Sequence, residues 1–231
     1  MELTLAEQFI FLAQHRTKYY SVIGSAQRSV GLTGALLLQL FKKESLTLED
    51  AHLVSRKTSL DLDQMEALVL ERINASKKKR KIKHWIHRLY PKSEPWRKII
   101  HHRLEKKGLF SIERRKFLFI PYTRVYITNL PFHAAFVNRI KEALEKPQEI
   151  PVETRQLLAL IKATDMYKAL SEDKKERKQM RKQLNALEFN HLVEGGVAST
   201  IREIEVAVVV SIMASTSAVM ASTAASGASS N

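Results

Sequence analysis

Residues 96–120 read WRKIIHHRLEKKGLFSIERRKFLFI, and the change of period inside them decides the fold. Trp96, Ile99, Ile100 and Leu104 recur at intervals of three and four, the spacing of one buried helical face. After Gly108 the period becomes that of strands: two short apolar runs, LFSI over 109–112 and FLFI over 117–120, flank ERRK over 113–116. The reading is an amphipathic helix followed by a β-hairpin with a cationic tip formed by Arg114, Arg115 and Lys116.

Upstream, the helical pattern continues. Trp85, Ile86 and Leu89 repeat at helical spacing, and Pro91 and Pro95 split the region into two helices. Both tryptophans sit at apolar positions, which places them in the core. Residues 62–73 (LDQMEALVLERI) predict another helix, with Asp61 and Asp63 where caps and first-turn acids belong rather than as an acid–base pair. Residues 29–43 (SVGLTGALLLQLFKK) are apolar nearly all round and predict a central helix. Gly31 and Gly34 inside it lack the spacing of a phosphate loop and suit close helix contact. Leu3, Leu5, Phe9, Ile10 and Leu12 predict a first helix behind Thr4, with Glu7 completing a capping box.

Downstream, residues 132–145 predict a helix closed by Pro147 and Pro151, and residues 151–170 a further one with Leu157, Leu158, Leu160 and Ile161 inward. Residues 171–185 (SEDKKERKQMRKQLN) form a solvated charged helix. Gly195 and Gly196 mark a turn before the last helix. The fold class expected is mainly α: a compact single-domain helical bundle over residues 1–221 with a protruding basic β-hairpin, then an Ala/Ser/Thr-rich disordered tail over 222–231.

Composition narrows the function. Of 38 Lys and Arg residues, sixteen lie in residues 77–116, opposed only by Glu94, Glu105 and Glu113. This segment of 40 residues carries +13 of the formal +14, so the charge is concentrated and points to a polyanionic partner. Cysteine is absent, which removes disulfides, thiolate metal sites and thiol nucleophiles. An acid at position 2 and no basic run before the first apolar stretch argue against a signal peptide, so a cytoplasmic protein is expected. Residues 206–231 carry no charge, but recurrent Ser and Thr favour a buried terminal helix over a spanning one. His84, His87, His101 and His102 raise the question of zinc, yet the crowd of positive side chains is poor electrostatics for a cation, and no metal or cofactor is expected. With no phosphate loop, nucleophile elbow or metal motif, an enzyme is not expected either. The helix followed by a hairpin also resembles a helix and wing, so nucleic acid is the alternative partner.

Four stretches in order, residues 3–12 (LTLAEQFIFL), 31–40 (GLTGALLLQL), 103–120 (RLEKKGLFSIERRKFLFI) and 155–163 (RQLLALIKA), with an apolar closing run at 205–214 (EVAVVVSIMA), resemble the Golgi phosphoprotein 3 family. That resemblance implies a non-enzymatic helical domain attached peripherally to membranes through phosphatidylinositol 4-phosphate. It also implies binding to cytosolic tails of membrane proteins and self-association through the hairpin. The family's lipid pocket uses a tryptophan, an arginine and a basic pair, which fall here on Gly24, Thr33, Glu94 and Arg97. Only Arg97 keeps the basic character, so selectivity for that one lipid is not implied by these residues. The anionic-headgroup site expected is therefore Arg97 and Lys98 with Arg114, Arg115 and Lys116, assisted by residues 77–81. About 1 kcal/mol per cation near an acidic leaflet brings six to eight of them to roughly micromolar binding.

Overall fold

The computed structural model describes residues 2–56, 61–187 and 200–214, and the chain is mainly α-helical with two small antiparallel sheets. Helix α1 (Leu5–Ala13) starts as read: the Thr4 hydroxyl accepts from Glu7 N, and the Glu7 carboxylate accepts from Thr4 N at 3.0 Å. Glu7 is itself buried and receives Lys107 Nζ at 2.7 Å, which fixes the start of α1 against the end of helix Glu94–Lys106.

Helix α2 (Ser25–Lys42) runs through the centre, with Val30 and every residue from Gly31 to Leu40 buried. Its two glycines are contact surfaces. A Cβ on Gly31 would lie 2.2 Å from Phe9 Cζ, and one on Gly34 would lie 2.9 Å from Val208 Cγ2 and 3.1 Å from Leu160 Cδ2. Helix α1 therefore packs at Gly31, while helix Val152–Ala163 and the helical residues 200–214 close on Gly34. Ile201, Ile204, Ala207 and Val208 bury the inner face of that closing segment. Among the described residues no helix is long and apolar enough to cross a membrane. The expected turn at Gly195 and Gly196 and the tail over 222–231 lie outside the described residues.

A polar relay crosses this core. Gln39 accepts from Ala6 N and donates to Glu66 Oε1, both at 2.7 Å, and Lys43 reaches Glu66 Oε2 at 2.6 Å. Helix α3 (Gln64–Asn74) carries Glu66 in a second capping box, where the Asp63 carboxylate accepts from Met65 N and Glu66 N. Asp63 also receives Arg103 at 2.9 Å, so it serves the helix start as read, whereas Asp61 offers only its backbone carbonyl, to Lys43.

No local pattern announces the first sheet. Strands β1 (Leu46–Glu49) and β2 (His52–Ser55) pair antiparallel, and β3 (Arg80–Lys81) adds to β2. The β1–β2 turn runs through Asp50 and Ala51, both at positive φ, without a glycine to announce it. Helices α4 (Ile82–Leu89) and α5 (Glu94–Lys106) follow, separated by a short 3₁₀ turn at Tyr90–Lys92, and Trp85 and Trp96 are buried as expected.

Strands β4 (Phe110–Phe117) and β5 (Ile120–Ile127) form the hairpin. Beyond it lie α6 (Leu130–Glu145), α7 (Val152–Ala163) and α8 (Lys174–Ala186). Helix α7 stops well short of the expected position 170. Asp165 adopts φ 55°, breaking the helix, and residues Met166–Ala169 continue as a 3₁₀ turn.

Candidate functional site

The hairpin differs from its sequence reading in one consequential way. Residues 113–116 are not the tip but the middle of β4, paired with 121–124 of β5. The turn lies at Leu118 and Phe119, where φ is 45° and 68°. Positive φ at both central residues is the mark of the type I′ turn, whose twist matches that of the strands it joins. The tip is thus apolar, with Phe117, Leu118, Phe119 and Ile120 exposed by 67, 74, 96 and 68%. Four contiguous large apolar side chains in water are not explained by folding.

The base of the hairpin is fixed to the body. Phe110 and Val125 are buried, Phe110 packs on Phe11 and on His101, and Gln14 Nε2 donates to Val125 O at 2.8 Å. Thr128 N bonds Leu109 O, closing the open end. The tip therefore projects from a stem that cannot pivot freely.

Strand alternation sorts the hairpin's charges between two faces. On one face, Ile112 pairs with Val125, Arg114 with Thr123 and Lys116 with Pro121. This face meets α5 across a groove of about 450 Å³, lined by Arg97, Lys98, His101 and His102 from the helix and by Ile112 and Arg114 from the strand. On the other face, Arg115 turns back to Glu113 at 2.9 Å, and Arg124 lies over the rings of Tyr19 and Tyr122 at 4.6 and 5.5 Å. Of the five residues expected to form one site, the structure brings together Arg97, Lys98 and Arg114. Lys116 shares their face one step nearer the tip, and Arg115 points away from them.

Within the groove, Arg97 and His101 stand one helical turn apart, as do Lys98 and His102. Arg97 is held by Glu94, with Nε to Oε2 at 3.0 Å and a terminal nitrogen to Oε1 at 2.5 Å. Glu94 thus neutralises Arg97 within the groove. Lys98, Arg114 and Lys116 have no carboxylate within ion-pair distance among the described residues. His101 is buried, and that burial, reinforced by Arg97, Arg28 and His102, pushes it down to about 3, so its ring is neutral and serves packing.

Arg28 on α2 is the cation that the sequence did not single out. It lies close enough to Glu94 and Arg97 for their charges to act on it, and burial and then Arg97 draw it below the ordinary arginine value. It lies four residues beyond Gly24, which caps α2, and five before Thr33, which is buried and donates to Ser29 O at 3.0 Å. Neither Gly24 nor Thr33 offers a ring or a charge. The apolar run that predicts this helix begins at Ser29 and leaves Arg28 outside it, so only folding shows that Arg28 faces α5.

The rest of the cationic segment does not form one patch with these residues. Lys79, Arg103 and Lys107 serve ion pairs with Glu49, Asp63 and Glu7 on other elements. His84 and His87 line a second recess against β2 and β3, which shares no lining residue with the groove. Among the described residues no group of three His, Asp or Glu side chains is arranged to hold a metal.

The Golgi phosphoprotein 3 (GPP34) family model matches residues 5–204, from the first residue of α1 into the closing helical segment. That match takes in the central helix with its two packing glycines, the helix before the hairpin and the hairpin itself. The chain belongs to the Golgi phosphoprotein 3 family.

Proposed function

We propose that this protein is a non-enzymatic peripheral membrane module that binds anionic phospholipid headgroups, phosphoinositides among them, along the groove between α5 and the hairpin while the hairpin tip enters the lipid surface. The observation that carries this reading is the exposed Phe117-Leu118-Phe119-Ile120 tip standing directly beyond the cations of that groove. An apolar wedge favours the acyl boundary, and Lys116, Arg114 and Lys98, set back from it, meet the phosphates that lie above that boundary. A duplex offers neither layer, since a wing that tracks a phosphate backbone gains nothing from four exposed apolar side chains.

The residues around Gly24, Thr33 and Glu94 support a headgroup contact that is broad rather than selective. Without an aromatic wall, and with Arg97 engaged by Glu94, binding depends on summed charge and tip burial. It therefore weakens as salt rises. Family membership supports an adaptor role, in which cytosolic tails of membrane proteins are partners, and no bond is made or broken in it.

Vesicle flotation tests the reading. The protein is expected to float with phosphatidylcholine vesicles that contain phosphatidylserine or phosphatidylinositol 4-phosphate, and not with phosphatidylcholine alone. Replacing Lys98, Arg114 and Lys116 by Gln removes three cations at about 1 kcal/mol each, an expected loss of roughly a hundredfold. Indifference to anionic lipid at low salt, or unchanged flotation of the triple variant, overturns it.

A further inference from the structure

Apart from the hairpin groove, a recess of about 480 Å³ lies where β2 and β3 meet α4. Lys79 with Arg80 and Lys81 of β3, Lys83, His84 and His87 of α4, and His52 of β2 line it, and its lining includes no acid, although Glu49 holds Lys79 from outside. We propose that this recess is a second anion site, one that takes a multiply phosphorylated small group such as an inositol polyphosphate, free or as a lipid headgroup.

The arrangement opposes local stability, and a bound anion reverses each opposing element. Helix α4 begins at the recess with Lys81 as its N-cap, and Lys81 gives no side-chain hydrogen bond to the first turn. That turn contains no acid and places Lys83 at the positive end of the helix, where cations are unfavourable and anions are favoured. Burial, then Arg80, Arg88 and His87, hold His84 below the ordinary histidine value, as expected where positive charges crowd one another. Lys79 beside them is matched by Glu49 at 2.8 Å, whereas Arg80, Lys81 and Lys83 have no such carboxylate among the described residues. Sequences break local rules at places where a ligand is required. The compact shape selects the class: the cations converge from one helical turn and a two-residue strand, whereas a nucleic acid needs a longer track.

The site shares no lining residue with the hairpin groove, so each can fail without the other. Fluorescence anisotropy with labelled inositol 1,4,5-trisphosphate measures it directly. The variant Arg80→Gln/Lys81→Gln/Lys83→Gln changes only exposed side chains. It is expected to bind about a hundredfold more weakly, while Lys98→Gln/Arg114→Gln/Lys116→Gln binds as the unaltered protein does. Should the recess variant fail to fold by circular dichroism, Lys83→Gln alone is expected to lose about fivefold. Competition by vesicles carrying phosphatidylinositol 4,5-bisphosphate identifies a lipid source, and its absence with retained trisphosphate binding identifies a free one. The proposal is overturned if the unaltered protein ignores trisphosphate, if both triple variants lose equally, or if duplex DNA displaces the probe at lower concentration than unlabelled trisphosphate does.

Discussion

Replacing Leu118 by Asn and Phe119 by Gly separates what the hairpin tip does for folding from what it does for binding, because the two effects have opposite signs. Both positions hold positive φ, a conformation that costs an ordinary L-residue roughly 1–2 kcal/mol. Asn-Gly is the preferred pair for this turn, so the double variant is expected to gain about 1–2 kcal/mol in urea unfolding. The same change removes side chains exposed by 74 and 96%. Burying each one fully is worth about 1.5–3 kcal/mol, so about 3–6 kcal/mol of lipid transfer is lost, a fall of a hundredfold or more in partitioning onto phosphatidylserine vesicles. A variant that is more stable yet floats poorly agrees with the structure. Unchanged flotation refutes insertion of the tip, and a loss of stability refutes the turn itself.

Two further outcomes follow from the core. Folded His101 stays neutral down to about pH 3, whereas in the unfolded chain it protonates near 6.5, so the unfolded state takes up the extra proton below that value. Stability should therefore fall as the pH drops, by about 2 kcal/mol at pH 5 from this group, and His101→Gln should flatten that part of the slope in pH-dependent urea unfolding. Burial acts on His133 in the same direction, so some acid sensitivity should remain. At Gly31, an added methyl group would sit 2.2 Å from Phe9 Cζ. Overpacking of about 1–3 kcal/mol should outweigh the helix preference for Ala of about 1 kcal/mol, so Gly31→Ala should lower the urea midpoint, and an unchanged or raised midpoint would contradict the close α1–α2 contact.

The helices were legible because their signals are local. The capping box at Thr4–Glu7, the cap position of Asp63, and apolar spacing around Trp85 and Trp96 survive folding unchanged. Both hairpin turns were hidden for one shared reason: Asp50-Ala51 and Leu118-Phe119 occupy left-handed backbone without glycine, so composition placed the second turn at the polar run 113–116. Strand pairing then overrode hydrophilicity and moved the cations from the tip to the stem. The candidate site was legible in part. Arg97, Lys98 and Arg114 converge as expected, but the face on which Arg115 lies depends on register, and a one-residue slip would exchange it with Arg114. Arg28 and the Glu94 clasp on Arg97 depend on how α2 meets α5, which no local pattern encodes.

The fixed base of the hairpin limits how the molecule can be turned. Eight residues per strand give an arm of about 26 Å, secured at one end by Phe110 on Phe11 and by Gln14 on Val125. Tilt of the arm is therefore tilt of the whole body, and whatever receives its far end also sets which flank of the protein stays open to the next partner.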